Sequence, residues 1–247
     1  MDKWRGKVAI VTGASAGIGA AVVQALVHHG MVVVGLARRT EKIEEMSAAL
    51  SKAGEKGKLV GIKTDLRKEG DILSAFQWVE KELGGPDVLV NNAGITYLGD
   101  FQDGVIEEWR AMLDVNILAV CICMREFLKS TTNRGKQNGH IINISSVAGH
   151  VPSHTFAVYS GTKFALTAIS QSLRRELAQK GSTIKVTNVS PGLTWSETTT
   201  KNLGDAGMEM MAASDVAQAI VDVLSATAVT QVCEVVLTPV PTIEYIY

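Results

Sequence analysis

Short runs of β-branched and other apolar residues alternate along the chain with longer stretches in which apolar positions recur every three or four residues. That alternation predicts an α/β protein, a mostly parallel sheet covered by helices on both faces. Seven strands are expected, at 8–12, 32–37, 60–64, 88–91, 141–145, 185–190 and 232–237. Helical periodicity fills about 18–29, 40–53, 70–83, 105–132, 158–179 and 213–225, and Asp215, preceded by Ser214, gives the last of these a capped start. No repeat, low-complexity tract or Pro-rich linker interrupts the series, so residues 1–247 read as one domain. The least patterned stretch, 194–212, carries Trp195, threonines at 198–200 and three methionines, and reads as a flexible cover over a cleft.

Composition narrows the function classes. The chain has 24 basic and 25 acidic side chains, with no basic tract. Nucleic acid and anionic membrane surfaces need a clustered excess of Lys and Arg, so neither is expected as a partner. The three cysteines, Cys121, Cys123 and Cys233, are odd in number and two lie too close for a disulfide framework, which points to a reducing compartment. They also make a poor metal site, and packing or interface roles are expected for Cys121 and Cys123. No apolar run reaches the ~20 residues of a membrane span, and no early segment has a signal-peptide pattern. A cytoplasmic protein is expected.

Candidate chemistry begins directly after the first strand, in Thr12-Gly-Ala-Ser-Ala-Gly-Ile-Gly19. Glycine allows a tight turn and close backbone approach, and the amides and dipole of the helix that follows favour a pyrophosphate. About 20 residues further on, a carboxylate would hold an adenosine ribose hydroxyl. Here the second strand runs into Arg38-Arg39 with no carboxylate, and guanidinium forks suit a 2′-phosphate, so NADP is expected over NAD. Ala16 stands where a second basic group could have joined the clamp.

Tyr159 and Lys163 stand four apart at the start of a helical stretch, one turn from each other on one face. A phenol titrates near 10 in water, and an adjacent ammonium lowers it toward a useful acid or base. Such a pair also occurs on ordinary helices, but 141–146 is an apolar strand ending in hydroxyls at the carboxyl edge of the sheet.

Together, Thr12-Gly-x-x-x-Gly-x-Gly19, Asn91-Asn-Ala-Gly94, Ser146, Tyr159-x-x-x-Lys163 and Pro191-Gly192 closely resemble the short-chain dehydrogenases/reductases from Gly6 to Leu237. The resemblance implies a single Rossmann-type doubly wound domain with strand order 3-2-1-4-5-6-7. It implies a proton-relay tetrad: Ser146 orienting the substrate oxygen, Tyr159 exchanging its proton, Lys163 lowering the phenol pKa, and Asn116 holding a water that links Lys163 to solvent. The implied cofactor contacts are Gly13, Ser15, Gly17, Ile18 and Gly19, then Arg38 and Arg39, then Asp65 and Leu66 about the adenine. Asn92, Ala93 and Gly94 would pass the adenine ribose, with Tyr159, Lys163, Pro191, Gly192 and Thr194 at the nicotinamide. After Pro191-Gly192 the chain departs from the family's usual spacing, so Thr194, Ser196 and Thr198 all stand as partners of the carboxamide.

Within the family the chain is similar to the insect farnesol dehydrogenases and the dehydrogenase/reductase member 11 group, through Trp4-x-Gly-Lys-Val-Ala, Gly-Leu-Ala-Arg38-Arg39 and Gly139-His140-Ile-Ile-Asn-Ile-Ser. This implies a hydrophobic alcohol or carbonyl substrate, an isoprenoid such as farnesol in the first place and a steroid or diketone as the alternative. Val147, Val151, Pro152, Phe156, Leu193, Trp195, Met208, Met210 and Met211 would give an apolar pocket wall, with His150 and His154 read as loop-surface side chains. A non-catalytic NADP-binding sensor or scaffold is disfavoured because Ser146, Tyr159 and Lys163 are all present. The helices at 105–132 and 158–179 are apolar on more than one face, which predicts a homodimer or homotetramer.

Overall fold

A computed structural model describes residues 1–152, 154–196 and 209–241. One parallel sheet organises them, in the expected order β3-β2-β1-β4-β5-β6-β7. The first half contains β1 (Val8–Thr12), α1 (Gly17–His28), β2 (Val32–Ala37), α2 (Thr40–Lys52), β3 (Lys58–Lys63), α3 (Glu69–Leu83) and β4 (Val88–Asn91). The second half contains α4 (Ile106–Leu113), α5 (Ala119–Asn133), β5 (Asn138–Ile144), α6 (Ala157–Gln179), β6 (Thr183–Pro191), α7 (Ala213–Ser225) and β7 (Glu234–Leu237).

Strand ends differ from the hydrophobic pattern where polar residues join the ladder. Lys58 pairs with Val32, and Asn138 with Thr183, so β3 and β5 begin two and three residues before their apolar runs. β7 begins later than expected, at Glu234, which pairs with Asn188. The long helix expected at 105–132 is divided by a π turn, Asp114–Leu118, between α4 and α5. At the start of α7, Asp215 reaches back to accept the Ala212 N–H at 2.8 Å, so the cap comes from the third helical residue.

Every residue of β1 is buried, because helices cover both faces of the central strands. On one face Val22, Leu26, Ile220 and Leu224 pack α1 and α7 on the sheet. On the other, Phe76, Phe127, Leu166 and Leu177 pack α3, α5 and α6. Each such side chain contributes on the order of 1.5–3 kcal/mol through burial. The carboxyl ends of β1, β4, β5 and β6 therefore emerge side by side along one edge.

One buried titratable group lies inside this core. His140 in β5 is 2.8 Å from the Thr187 hydroxyl, which donates onward to the Val232 carbonyl at 2.6 Å, so the imidazole supplies the N–H of that pair. Burial, with Lys185 and Lys3 nearby, pushes its pKa down to about 3. As pH falls below about 6.5 the unfolded imidazole takes a proton that the folded one refuses, and stability drops until the folded pKa is reached. Urea titrations of wild type and His140→Asn between pH 6.5 and 4 should differ in slope by up to one proton, about 1.4 kcal/mol per pH unit. Identical slopes would show that His140 is not the acid-sensitive group.

Candidate active site

The glycine turn fills the gap between β1 and α1. Gly13 and Gly17 have φ of +66° and +54°, a backbone region that side chains rarely adopt. A Cβ on Gly19 would lie 2.3 Å from the Gly13 carbonyl and 2.5 Å from Asn92 Nδ2, so only glycine lets α1 start this close to the turn. α1 has no side-chain cap at Ala16, and a helix start leaves first-turn N–H groups without intrahelical partners. Positive-φ glycines leading into an uncapped helix start fit a pyrophosphate.

The Asn92 side chain locks this turn. Its amide donates to the Thr12 carbonyl at 2.9 Å and the Gly13 carbonyl at 3.3 Å. The Thr12 hydroxyl in turn accepts the N–H groups of Asn92 and Ala93, each at 3.0 Å. Gly94 follows, and a Cβ there would be 3.6 Å from both Asn116 Oδ1 and Lys163 Nζ.

Ser146, Tyr159 and Lys163 come together where β5 ends and α6 begins. Ser146 caps a short 3₁₀ turn, Val147–Gly149, with its hydroxyl accepting the Ala148 N–H at 3.1 Å, and its influence on the Tyr159 phenol is to lower the phenol pKa. Lys163, 4% exposed, donates to the Ile144 carbonyl at 2.9 Å, and its ammonium lies 5.6 Å from the centre of the Tyr159 ring. Burial pushes the lysine down to about 8. Burial also raises the half-buried phenol above its ordinary value, against the lowering influence of Ser146. Within the chain alone, then, the phenol stays high.

Asn116 sits in the π turn with its amide committed in both directions. Oδ1 accepts the Ile95 N–H and Nδ2 donates to the Ile95 carbonyl, both at 2.9 Å, while Nδ2 also reaches Thr162 Oγ1 at 3.1 Å. The Thr162 hydroxyl donates to the Tyr159 carbonyl at 2.7 Å. Asn116 therefore joins the segment after β4 to the first turn of α6.

In the loop after β3, the Asp65 carboxylate is forked by Arg67, with Nε to Oδ1 at 3.0 Å and Nη2 to Oδ2 at 2.7 Å. The Arg67 hydrogen bonds hold the carboxyl down at about 2, with Arg38 adding to the lowering. Arg38 and Arg39 are both exposed where β2 passes into α2, and Leu66 is half-buried. Arg67 carried no signal in the chain's motifs, since nothing local distinguishes it from a surface arginine.

The far end is bounded by β6. Pro191 is buried, Gly192 is half-buried, and the Thr194 hydroxyl donates to the Gly192 carbonyl at 3.0 Å. Leu193 and Trp195 both pair with Met211, so the base of the 194–212 segment is tied together rather than loose. A Cβ on Gly17 would be 3.2 Å from Ser196 Cβ, which places Ser196 against the glycine turn. Met208 and Thr198 lie outside the described residues.

Among the expected wall residues, Phe156 stands edge-on to Tyr159 at 6.2 Å, while Val151 and Trp195 are exposed. Val147 is buried, and Met211 packs against the α1–α7 core. His154 is exposed, as read from the sequence, but His150 is drawn inward. Tyr97, Leu98 and Phe101 form a further apolar rim beyond Gly94, and the Gly99 N–H bonds the Thr155 carbonyl at 3.1 Å. Their apolar run directly after Asn-Ala-Gly was the available signal. Burial raises both Cys121 and Cys123, the latter to about 12, which suits packing rather than chemistry. No His, Cys, Asp and Glu group suited to a metal occurs among the described residues.

A doubly wound parallel sheet with a glycine turn at its switch point defines a dinucleotide-binding protein, and the Ser-Tyr-Lys cluster at the same edge belongs to oxidoreductases. Residues 7–207 match the short chain dehydrogenase profile, and the chain belongs to the short-chain dehydrogenase/reductase family. It is 43% identical to dehydrogenase/reductase SDR family member 11 of Gallus gallus, over 97% of this chain and 98% of that protein. It is 42% identical to farnesol dehydrogenase of Aedes aegypti, over 97% and 98% respectively. An alcohol dehydrogenase from Thermococcus sibiricus, solved with 5-hydroxy-NADP, superposes with a TM-score of 0.86 at 25% identity, covering 97% of this chain and 99% of that one.

Lys163 costs stability where it sits. Its folded pKa lies below the ordinary 10.5, so the penalty is fully present below about pH 8 and disappears as pH rises toward 10.5. Lys163→Met should raise Tm by several degrees at pH 7, from relief of up to about 3 kcal/mol, while abolishing turnover. A lower Tm would show that the Ile144 hydrogen bond outweighs desolvation.

Proposed function

We propose that this chain is an NADP-dependent oxidoreductase interconverting a hydrophobic alcohol and its aldehyde or ketone, with an isoprenoid alcohol such as farnesol as the favoured substrate. The observation that carries the reading is the meeting of Ser146, Tyr159 and Lys163 where β5 ends and α6 begins, with the Lys163 ammonium 5.6 Å from the Tyr159 ring. Tyr159 gives its proton to the carbonyl oxygen in reduction and takes it from the alcohol in oxidation. Ser146 holds that oxygen and stabilises the charge that develops on it. Lys163 lends positive charge beside the phenol, and Asn116 keeps the π turn in place and holds the water that links Lys163 to solvent. When bound, the nicotinamide supplies or accepts the hydride.

Gly13, Ser15, Gly17, Ile18 and Gly19 hold the pyrophosphate, and Arg38 and Arg39 receive the 2′-phosphate. Asp65, Leu66, Asn92, Ala93 and Gly94 surround the adenosine, with Pro191, Gly192 and Thr194 at the nicotinamide. The apolar rim of Tyr97, Leu98, Phe101, Val151 and Trp195 favours a substrate without charge. A steroid or a diketone, equally free of charge, stands as the second reading. Exposed Leu113, Leu118 and Phe164 on α4, the π turn and α6 support pairing with another copy of the chain. No helix among the described residues is long and apolar enough to cross a membrane.

Nicotinamide absorbance, with each cofactor in turn, against farnesol, geraniol, their aldehydes, a hydroxysteroid and a diketone tests the substrate class; turnover confined to steroids would replace the isoprenoid reading. Tyr159→Phe should lower kcat by about a hundred- to ten-thousandfold with NADPH affinity nearly unchanged, and full activity in that variant overturns the mechanism. Arg38→Ala should weaken NADPH binding about tenfold or more and leave NADH binding alone, read by fluorescence titration; equal losses would remove the 2′-phosphate argument.

A further inference from the structure

The 3₁₀ turn that Ser146 caps at one end is held at the other by His150, whose N–H bonds the Val147 carbonyl at 2.9 Å. The His150 side chain is 19% exposed, so it is not the surface group its loop position suggests. Nε2 lies 3.1 Å from the Ser190 hydroxyl and 2.9 Å from Glu234 Oε1, and the same hydroxyl is 3.3 Å from that carboxylate oxygen. A carboxylate only accepts, so Nε2 carries the proton and Ser190 donates its own to Glu234. Three residues from three elements thus close a small polar network: the loop after β5, the end of β6 and the start of β7.

Its position gives it a consequence for the reacting groups. Ser190 immediately precedes Pro191-Gly192, and Ser146 lies one 3₁₀ turn from His150. The turn has little room of its own, since a Cβ on Gly149 would be 2.9 Å from both the Lys163 carbonyl and Ser145 Oγ. Packing presses the middle of the turn onto α6, and the imidazole ties its far end to the sheet. The Ser146 carbonyl accepts the Gly149 N–H at 2.9 Å and its hydroxyl accepts the Ala148 N–H at 3.1 Å, so the direction of the hydroxyl follows wherever the turn is set.

We propose that His150 is a positioning residue, acting through Glu234 and Ser190 to set the direction of the Ser146 hydroxyl toward Tyr159. This rests on the reading of Ser146 as the group that holds the substrate oxygen. The role requires the Nε2 donor and not an imidazole as such. Glutamine, whose Nε2 can occupy the same place, should serve; leucine of similar size should not.

The test uses the full chain with farnesal and 2,3-butanedione as carbonyl probes and NADPH. His150→Leu and His150→Gln are made in the wild type and in Ser146→Ala. In the wild type His150→Leu should lower kcat on the order of ten- to a hundredfold, with KM for NADPH and Tm little changed, while His150→Gln keeps most of kcat. Glu234→Gln, which keeps an acceptor, should give a smaller loss and guards against a leucine variant that folds poorly. In Ser146→Ala the leucine substitution should add less than about twofold, because the group it positions is gone. Hydrogen exchange should speed up in the peptide 146–152 and not in α6. Equal fold losses in both backgrounds, or an unchanged kcat in His150→Leu, overturn the positioning role. Full activity in Ser146→Ala alone would instead overturn the reading of Ser146, and the role of His150 with it.

Discussion

A lysine ammonium removed from water needs an acceptor held at hydrogen-bond distance, and in this chain that acceptor is the carbonyl of Ile144, the last residue of β5. The requirement constrains both elements it joins. β5 must stop there, leaving its final carbonyl directed at α6 rather than at a neighbouring strand, and α6 must start close enough to put its seventh residue beside it. Ser146 follows from the first condition and Tyr159 from the second, since one is two residues past Ile144 and the other one turn before Lys163. A buried charge of this kind is retained against its desolvation cost, which is the ordinary sign of a group kept for chemistry.

Around that point the parallel sheet supplies the rest by register. In-register asparagines stand on β4, β5 and β6, and Asn91 donates to Asn143 at 2.8 Å while Asn143 donates to Ser170 of α6 at 2.8 Å. A one-residue slip of β5 would turn its polar set to the opposite face and leave these amides unpaired in the core. The same register that pairs Asn91 with Asn143 brings the loops after β1, β4, β5 and β6 to matching heights. Thr12 and Asn92 then stitch the first two of those loops together, so the glycine turn and the Gly94 segment move as one body.

The alternation of apolar periods made the parallel sheet and the helices legible, the family resemblance supplied the strand order, and spacing alone put Tyr159 and Lys163 on one face. Ser146 was picked out beside Tyr159 by the resemblance, which the hydroxyls at the end of the 141–146 strand supported. What stayed hidden is contact between polar groups far apart in sequence. Nothing around His150 announces Glu234, 84 residues away, and nothing around Asp65 shows that Arg67 turns back on it instead of facing water. Nothing around Asn92 shows that its side-chain amide donates to the Thr12 and Gly13 carbonyls, some 80 residues back. Strand ends failed for a related reason: Lys58 and Asn138 have no hydrophobic signature, and the ladder accepts any backbone that keeps register.

Two opposite treatments of charge meet in this fold. Inside, His140 and Cys123 are held neutral by burial, and Lys163 is pushed toward neutrality. In the loop after β3 Asp65 is held ionised by Arg67, and with Arg38 beside it two guanidinium groups face one carboxylate. The balance there is positive, which suits a phosphate without leaving the carboxylate unpaired. The phenol stands between these regimes. With burial raising it and only the Ser146 hydroxyl opposing, Tyr159 is a weak acid on its own. Positive charge brought next to the phenol would make its proton easier to release, because it favours the phenolate.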